Sequence, residues 1–372
     1  MPFPENVLRL TDGTVTLRAH APGDAPRIVA QSRDPESLRW TTVPGDYTLA
    51  MAHDFLAEIA RGWDAEPGVR HWALCAADDP GEAYLGTIDV RPRGGGLAAV
   101  GYGLHPDGRG RHLMSGALRL AARWWFEEAG GQRLTWTAYG GNFASRAVAR
   151  AAGFRFEAVA PGIDALRTGE VVDEWHGARD AADPGAPAAP WYDSPELAGG
   201  PVRLRAWRDA DLEAIEAPEH PPHWLPGRAV PTPETFGAWL ARRRLGMARG
   251  IVQGWCIADA ETDRALGDVV LFAREGAIAA GDTAELGYWL APSARGRGVA
   301  RTAAGLAAAY AFRPESEGGL GLRRLVAITA ADNAGSNGVL TAAGFTRWGA
   351  EPDDTAPDGS VGTAYHWARL RG

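Results

Sequence analysis

The sequence predicts an α/β protein built from two copies of one domain, each with a mixed sheet. The first observation is the length, because 372 residues correspond to about two domains. The second is an internal repeat, in which residues 100–126 resemble 286–312 and residues 140–154 resemble 330–345. The third is that strand-like and helix-like segments alternate within each copy. A repeat of about 190 residues is too long for a solenoid and therefore indicates a duplicated domain.

The repeat also predicts where one domain ends and the next begins. The N-terminal domain is expected over residues 1–180 and the C-terminal domain over residues 201–372. Between them, residues 181–200 are rich in Ala, Pro and Asp, a composition typical of a semi-rigid linker.

The C-terminal copy shows the predicted elements most clearly. Apolar runs bounded by Gly, Pro or Asp predict strands at 202–206, 251–259, 265–273, 284–290, 323–330, from 345 onward and at 363–370. Segments with helical periodicity predict helices near 209–216, 233–245, 298–312 and 333–343. In the helix that starts at Gly298, small and apolar residues recur on one face, and Gly344 is placed to end the last helix.

Charge and cysteine content exclude several classes of protein. The net charge is −8, and no basic stripe with interleaved aromatic residues appears, which argues against a nucleic-acid partner. No uncharged apolar stretch approaches the length of a membrane span. The two cysteines, Cys75 and Cys256, stand alone in apolar segments, so we expect buried thiols in a reducing, cytoplasmic setting and no metal site.

The chain contains no lysine, and all 38 of its basic residues other than histidine are arginines. An ordinary chain of this length carries on the order of twenty lysines. The absence excludes Schiff-base chemistry on a lysine. It also excludes a P-loop lysine and the strand lysine of protein kinases. Any chemistry of this protein must therefore proceed without a lysine.

The most informative segment is the run of residues 292–300, Pro-Ser-Ala-Arg-Gly-Arg-Gly-Val-Ala. It follows a predicted strand and opens a predicted helix. Its small residues allow backbone N–H groups to approach a ligand, and with the helix N-terminus they form an anion site suited to a pyrophosphate. Arg295 and Arg297 can add positive charge. A plain tight turn is the alternative interpretation of this segment taken alone.

At this point the chain resembles the GNAT superfamily of acyl-CoA-dependent N-acetyltransferases. Arg295-x-x-Gly298-x-Ala300 fits the family motif that binds the coenzyme A pyrophosphate. The longer run 284–300, followed by Asn333-x-x-Ser336 and Ala-Ala-Gly-Phe, is similar to the branch that acetylates ribosomal-protein N-termini. The resemblance covers both copies and implies two tandem domains, each with a mostly antiparallel sheet flanked by helices, and acetyl-CoA as the co-substrate.

The resemblance also implies roles for particular residues. The coenzyme pyrophosphate would lie on Arg295, Gly296, Arg297, Gly298, Val299 and Ala300, with the pantetheine arm beside Trp289 and Leu290 and bonded to Asn333. Glu285 would accept the amine proton, and Ser336 would protonate the departing thiolate. Two local interpretations stay open: Glu285 as a solvent-facing residue paired with an arginine, and Asn333 as the N-cap of its helix supported by Ser336.

A proline-rich segment, residues 220–233, lies where this family places substrate-recognition loops. His220, His223 and Trp224 could line an acceptor pocket there. The flanking prolines break any ligand helix and no third ligand is near, which argues against a metal. A loop fixed by its prolines is the commoner interpretation.

The N-terminal copy departs from the motif. When the two copies are aligned on Pro106 and Pro292, His112 stands in place of Gly298, Met114 in place of Ala300 and Ala99 in place of Glu285. Other motif residues persist, namely Arg109, Gly110, Arg111, Asn142 and Ser145. We therefore expect the C-terminal copy to perform the chemistry. The N-terminal copy would replace the second subunit of a homodimer or form a wall of the substrate site, and coenzyme binding there stays open. A monomer or weak dimer would then carry a pseudo-dimer of tandem halves.

The sequence thus predicts an enzyme that moves an acetyl group from acetyl-CoA to a primary amine of a small molecule or a peptide N-terminus. A second hypothesis keeps the fold and acetylates a pseudo-disaccharide amine, as tandem mycothiol synthases do, or uses a longer acyl donor. A third is a non-catalytic sensor that binds acyl-CoA.

Overall fold

A computed structural model describes residues 7–273 and 278–372. The chain forms two compact units, Met1–Ala188 and Ala189–Gly372, each built around one eight-stranded sheet. In the described part of the chain, no helix is long and apolar enough to cross a membrane. The predicted α/β class, with two tandem domains, is confirmed.

From residue 7 onward, the N-terminal unit contains eight strands and five α-helices. The strands are β1 (Leu10–Thr11), β2 (Val15–Arg18), β3 (Arg70–Ala76), β4 (Gly86–Gly94), β5 (Leu97–Leu104), β6 (Arg133–Tyr139), β7 (Arg155–Ala165) and β8 (Val171–Asp180). The helices are α1 (Ala25–Arg33), α2 (Pro35–Trp40), α3 (Leu49–Asp64), α4 (Leu113–Arg123) and α5 (Phe143–Ala151). The strand order is β1-β2-β3-β4-β5-β6-β8-β7.

The C-terminal unit repeats this arrangement. Its strands are β9 (Leu197–Gly199), β10 (Val202–Arg205), β11 (Val252–Asp259), β12 (Ala265–Phe272), β13 (Thr283–Leu290), β14 (Arg324–Ala330), β15 (Thr346–Thr355) and β16 (Val361–Leu370). Its helices are α6 (Phe236–Ala248), α7 (Val299–Phe312) and α8 (Ala334–Ala342). The order β9-β10-β11-β12-β13-β14-β16-β15 matches the first sheet strand for strand.

Each sheet is mostly antiparallel and contains one parallel pair, β5 with β6 and β13 with β14. The second pair extends over only three residue pairs, ending at Glu285 opposite Val326. Beyond that point β13 continues to Leu290 beside β12 alone. We call the opening between β13 and β14 the C-terminal cleft. It lies immediately before the turn that leads into α7.

The small residues of α7 hold that helix close to the sheet. Four alanines on its inner face are fully buried, namely Ala303, Ala304, Ala307 and Ala308. Short side chains let the helix backbone approach the strands, and close packing resists displacement. The N-terminus of α7 is therefore fixed beside the C-terminal cleft.

One predicted helix has a different form. The segment expected to be helical over 209–216 is a 3₁₀ helix, Asp209–Ala214. The carboxylate of Asp211 accepts a hydrogen bond from the backbone N–H of Arg208 at 2.8 Å and pairs with buried Arg205 at 2.8 Å. This contact fixes a tight first turn.

The segment predicted as a linker, residues 181–200, is divided between the two units, since the first ends at Ala188 and the second begins at Ala189. At its start, the Asp183 carboxylate accepts a hydrogen bond from the Asp180 backbone N–H at 2.7 Å. Further on, the backbone N–H of Tyr192 donates to the Met247 carbonyl at 3.1 Å. Strand β9 also lies within this segment and pairs with β10. These contacts could not be predicted from the Ala- and Pro-rich composition.

Buried His20 and half-buried His71 are expected to make the stability of the N-terminal unit depend on pH. The side chains of His20 and His71 each have an Nδ1 atom without a hydrogen-bond partner among the described residues. Burial lowers the pKa of His71 to about 4 and lowers that of His20 well below its usual value. In the unfolded chain these two imidazoles would be protonated near pH 6.5, whereas in the folded unit they are protonated only at lower pH.

We therefore expect the denaturant midpoint of this unit to fall as the pH drops below about 6.5. Replacing both histidines by glutamine should flatten this dependence. His53→Gln, at an exposed position, serves as the matched control. An unchanged pH slope in the double variant would contradict the assignment.

Candidate active site

The glycine loop, residues 292–298, leads from β13 into α7. Gly296 and Gly298 have φ values of 73° and 75°, in the left-handed region where glycine carries no steric penalty. A Cβ atom built on either residue would meet no heavy atom within 4 Å. Gly298 is also the N-cap of α7, and no side chain caps the helix there. The first N–H groups of α7 therefore face open space, which suits an anionic ligand.

The arginines near this loop point in different directions. Arg295 donates to the Glu219 carbonyl at 2.7 Å and lines a cavity beside the loop. Arg297 instead lies 3.5 Å from the Asp259 carboxylate and is not among the residues that line that cavity. Arg301, one turn into α7, lines it as well. The sequence prediction included Arg297 and missed Arg301, because an arginine on a helix surface carries no distinctive signal.

Two cavities meet at the C-terminal cleft. The smaller, which we call the loop cavity, has a volume of about 470 Å³. It brings together nine of the predicted site residues: Trp289, Leu290, Arg295, Gly296, Gly298, Val299, Ala300, Asn333 and Ser336. The larger, which we call the large cavity, has a volume of about 1050 Å³ and includes Glu285 in its lining. Both are lined by Leu286, Tyr288 and Trp289 of β13.

Glu285 stands at the point where the sheet opens. It pairs with Phe272 of β12 on one side and with Val326 of β14 on the other. It is half-buried and is the last residue of the parallel ladder. Its backbone is thus held by strands on both sides while its side chain lines the large cavity.

Asn333 and Ser336 lie at the first turn of α8. The Asn333 side chain accepts a hydrogen bond from the backbone N–H of Ser336 at 3.0 Å, so the N-cap interpretation holds. Both residues also line the loop cavity. The cap leaves the Ser336 hydroxyl available for a second contact.

That contact is with Tyr288, a residue that the sequence analysis did not single out. The hydroxyls of Tyr288 and Ser336 are 2.7 Å apart across the cleft. Burial raises the pKa of Tyr288 to about 12, so the phenol stays protonated at neutral pH. The same two residue types occur at the matching positions of the N-terminal copy, Tyr102 and Ser145, so the repeat could have indicated the pair. Their hydroxyls are 3.1 Å apart.

The N-terminal unit keeps the scaffold of the site but changes two key positions. Ala99 is the last residue of its three-pair parallel ladder, opposite Thr135, as Glu285 is in the second sheet. His112 is the N-cap of α4 and has a left-handed φ of 57°, where Gly298 has 75°. The strand register and the backbone conformation therefore support the alignment of the two copies.

The proline-rich segment 220–233 is tied to the end of β14. His223 Nε2 and Trp224 Nε1 lie 2.7 Å and 3.0 Å from the two oxygens of Asp332. The hydrogen bond from His223 lowers the pKa of that carboxyl. His223 and Trp224 line the large cavity, and His220 lines the loop cavity. Sequence reasoning missed Asp332, whose role depends on a contact between residues more than 100 positions apart.

Fold and site together define an α/β protein with a duplicated domain, in which the C-terminal copy has an open cleft beside a glycine loop. The family model for the GNAT acetyltransferase domain matches the chain twice, over residues 14–155 and 202–346. The chain belongs to the GNAT acetyltransferase family, as the sequence motifs predict.

Several solved structures are similar in fold to about half of this chain. An acetyltransferase of the GNAT family from Bacillus anthracis is 16% identical, with 47% of this chain and 100% of that chain covered and a TM-score of 0.42. RimL, the ribosomal L7/L12 alpha-N-protein acetyltransferase in complex with coenzyme A, is 17% identical, with 45% and 94% covered and a TM-score of 0.41. RimJ from Mycobacterium smegmatis, in complex with a CoA disulfide, is 17% identical, with 48% and 90% covered and a TM-score of 0.41. No curated protein matches the sequence.

Proposed function

We propose that the C-terminal unit transfers an acetyl group from acetyl-CoA to a primary amine of a small molecule or a peptide N-terminus. The observation that carries this proposal is the meeting of two cavities across β13. One holds the anion-binding glycine loop, and the other holds the carboxylate of Glu285. A donor with a pyrophosphate and an acceptor with an amine can thus approach each other at Tyr288.

The loop cavity suits the coenzyme. The open N–H groups at Gly296 and Gly298, with Arg295 and Arg301 on the wall, favour the pyrophosphate. From there the pantetheine arm would follow the end of β13 at Leu290, where the strand has no partner from β14.

The acceptor needs a base, because an alkylamine is mostly protonated at neutral pH. Glu285 would take the proton from the amine, directly or through a water. The neutral amine nitrogen would then bond to the thioester carbonyl carbon as the carbon–sulfur bond breaks, and the nitrogen would lose its second proton to solvent. Ser336 would give its proton to the sulfur and regain one from Tyr288 through their 2.7 Å contact, and Tyr288 would be reprotonated from solvent.

The serine has a testable role in this scheme. Ser336→Ala is expected to lower kcat by about 100-fold with little change in the KM for acetyl-CoA. Tyr288→Phe should lower kcat by a smaller factor. The Ser336→Ala change retains the backbone N–H that caps α8, so the helix should persist. Ser145→Ala, in the matching pair of the N-terminal unit, is the control. Equal activity of the Ser336 and Ser145 variants would show that Ser336 caps α8 and does not donate a proton.

Contacts in the N-terminal unit support a non-catalytic role for it. Ala99 offers no carboxylate at the position of Glu285. Asp89 and Arg91, whose side chains are bonded at 2.5 Å, lie against β5, because a Cβ at Gly101 would be 2.0 Å from the Arg91 guanidinium. A charged pair thus covers the strand where the C-terminal unit has an open cavity.

Release of the coenzyme A thiol tests the proposal. The full chain would be incubated with acetyl-CoA and a panel of amino sugars, a pseudo-disaccharide amine, polyamines and peptides with free N-termini. Thiol release with at least one amine, together with acetylated product by mass, supports acyl transfer. Binding of coenzyme A without release for any amine would instead support a sensor of acyl-CoA.

A further inference from the structure

We infer that the large cavity contains an anion subsite, formed by Arg228 and Arg242, which selects amine acceptors that also carry a carboxylate or phosphate group. This inference rests on the proposed acyl transfer and narrows its acceptor. It concerns a part of the site that lies away from the coenzyme loop.

Arg228 and Arg242 both line the large cavity. Both are exposed, and neither has a hydrogen bond or an ion pair with any residue that the structure describes. Most arginines in the described part of this unit are paired, such as Arg244 with Asp209 at 3.1 Å. Two unpaired guanidinium groups among the residues that line one cavity offer planar, bidentate sites for an oxyanion.

The loop that carries Arg228 is fixed to the helix that carries Arg242. The indole N–H of Trp239 on α6 donates to the carbonyl of Ala229 at 3.0 Å. Trp239 is buried and packs edge-on against Trp207 at 5.1 Å between ring centroids. The bond therefore ties the residue after Arg228 to the helix that carries Arg242, and such preorganisation reduces the entropy lost on binding.

The neighbouring arginine already has a partner, so it does not compete for the ligand. Arg243 bonds to Asp268 at 2.5 Å, and the other oxygen of Asp268 accepts from Trp207 at 2.9 Å. Asp268 is 1% exposed, and burial raises its pKa. The buried carboxylate thus holds Arg243 and leaves the charge of Arg242 uncompensated.

At least two of the four acids that line the large cavity already have partners. Asp332 is bonded to His223 and Trp224, and Asp268 is bonded to Arg243. Glu285 lies on β13, and Asp354 lies on β15. An acceptor with its amine at Glu285 and an anionic group at Arg228 and Arg242 would contact groups of opposite charge within one cavity.

Charge-matched pairs of acceptors test the subsite. Trialanine and trialaninamide differ only in the terminal carboxylate, and 2-aminoethyl phosphate and 2-aminoethanol differ only in the phosphate. With the full chain, we expect kcat/KM to be at least about tenfold higher for the anionic member of one pair or both. The two pairs show whether the anion is a carboxylate or a phosphate. Equal values within both pairs would overturn the inference.

The double variant Arg228→Gln/Arg242→Gln should remove this preference while leaving the neutral amines and the KM for acetyl-CoA unchanged. Arg244→Gln, on the same helix but paired with Asp209, is the matched control and should keep the preference. A loss of preference in the control as well, or an equal loss for charged and neutral amines, would mean that α6 is disturbed generally and would overturn the subsite.

Binding separates this inference from the acyl-transfer proposal. Inorganic phosphate would be titrated in the presence of coenzyme A, with tryptophan fluorescence as the signal, because Trp224, Trp239 and Trp289 line the large cavity. Phosphate binding that the double variant abolishes would support the subsite even if no amine releases thiol. Thiol release without any charge preference would support acyl transfer and overturn the subsite. If neither thiol release nor phosphate binding is observed, both proposals are overturned.

Discussion

Glu285→Gln is expected to lower kcat for acyl transfer by at least about 100-fold. The amide is nearly the same shape as the carboxylate, so the backbone pairing of β13 with Phe272 and Val326 should persist. What is lost is the ability to accept a proton from an acceptor that is mostly charged at neutral pH. The measurement is thiol release under saturating acetyl-CoA, combined with calorimetry to show that coenzyme A still binds.

The N-terminal unit supplies the control for this experiment. Ala99→Gln places the same amide at the equivalent end of the other parallel ladder and should leave turnover unchanged. If the Ala99 variant is the damaging one, the catalytic unit has been assigned wrongly. If Glu285→Gln retains full activity, the base is some other group.

The second large effect is expected from Gly298→His combined with Ala300→Met, which copies the residues of the N-terminal unit. In the C-terminal unit, Gly298 opens onto empty space at a left-handed φ of 75°, and a side chain there would occupy the volume that the pyrophosphate needs. We expect the affinity for coenzyme A to fall at least about tenfold, since the loss of a few charge-assisted contacts costs that much. Calorimetric titration of coenzyme A measures the change.

Misfolding would give a similar loss of binding, so the thermal midpoint must be measured as well. His112 adopts a φ of 57° at the same position of the N-terminal unit, which shows that this turn accommodates histidine. The left-handed conformation costs a residue with a Cβ about 1–2 kcal/mol, a shift that leaves a folded domain. An unchanged affinity for coenzyme A in a folded variant would place the pyrophosphate elsewhere.

The sequence predicted the parts of the fold and site that depend on local spacing. The repeat located both domains, and the glycines before α7 located the loop, because a left-handed turn at a helix start favours glycine. Residues whose roles depend on distant partners were missed. Tyr288 gains its importance from Ser336, and Asp332 gains its importance from the loop with His223 and Trp224. The pairing of Arg297 with Asp259, away from the loop cavity, depends on a β-strand brought close only by folding.

Because β13 pairs with β14 over only three residues, the rest of β13 is unpaired on its β14 side although it lies in the middle of the sheet. Edge strands normally expose unpaired N–H and C=O groups that promote association with other chains. Here the residues of β13 beyond Glu285 form such an edge, but α8 and its Ser336 contact to Tyr288 stand across the opening. A whole strand from a neighbouring protein would have to displace this contact, whereas a slender chain that carries amide groups can enter and pair. We therefore expect this internal edge to pair with a narrow chain that carries amide groups and not with a strand of another protein.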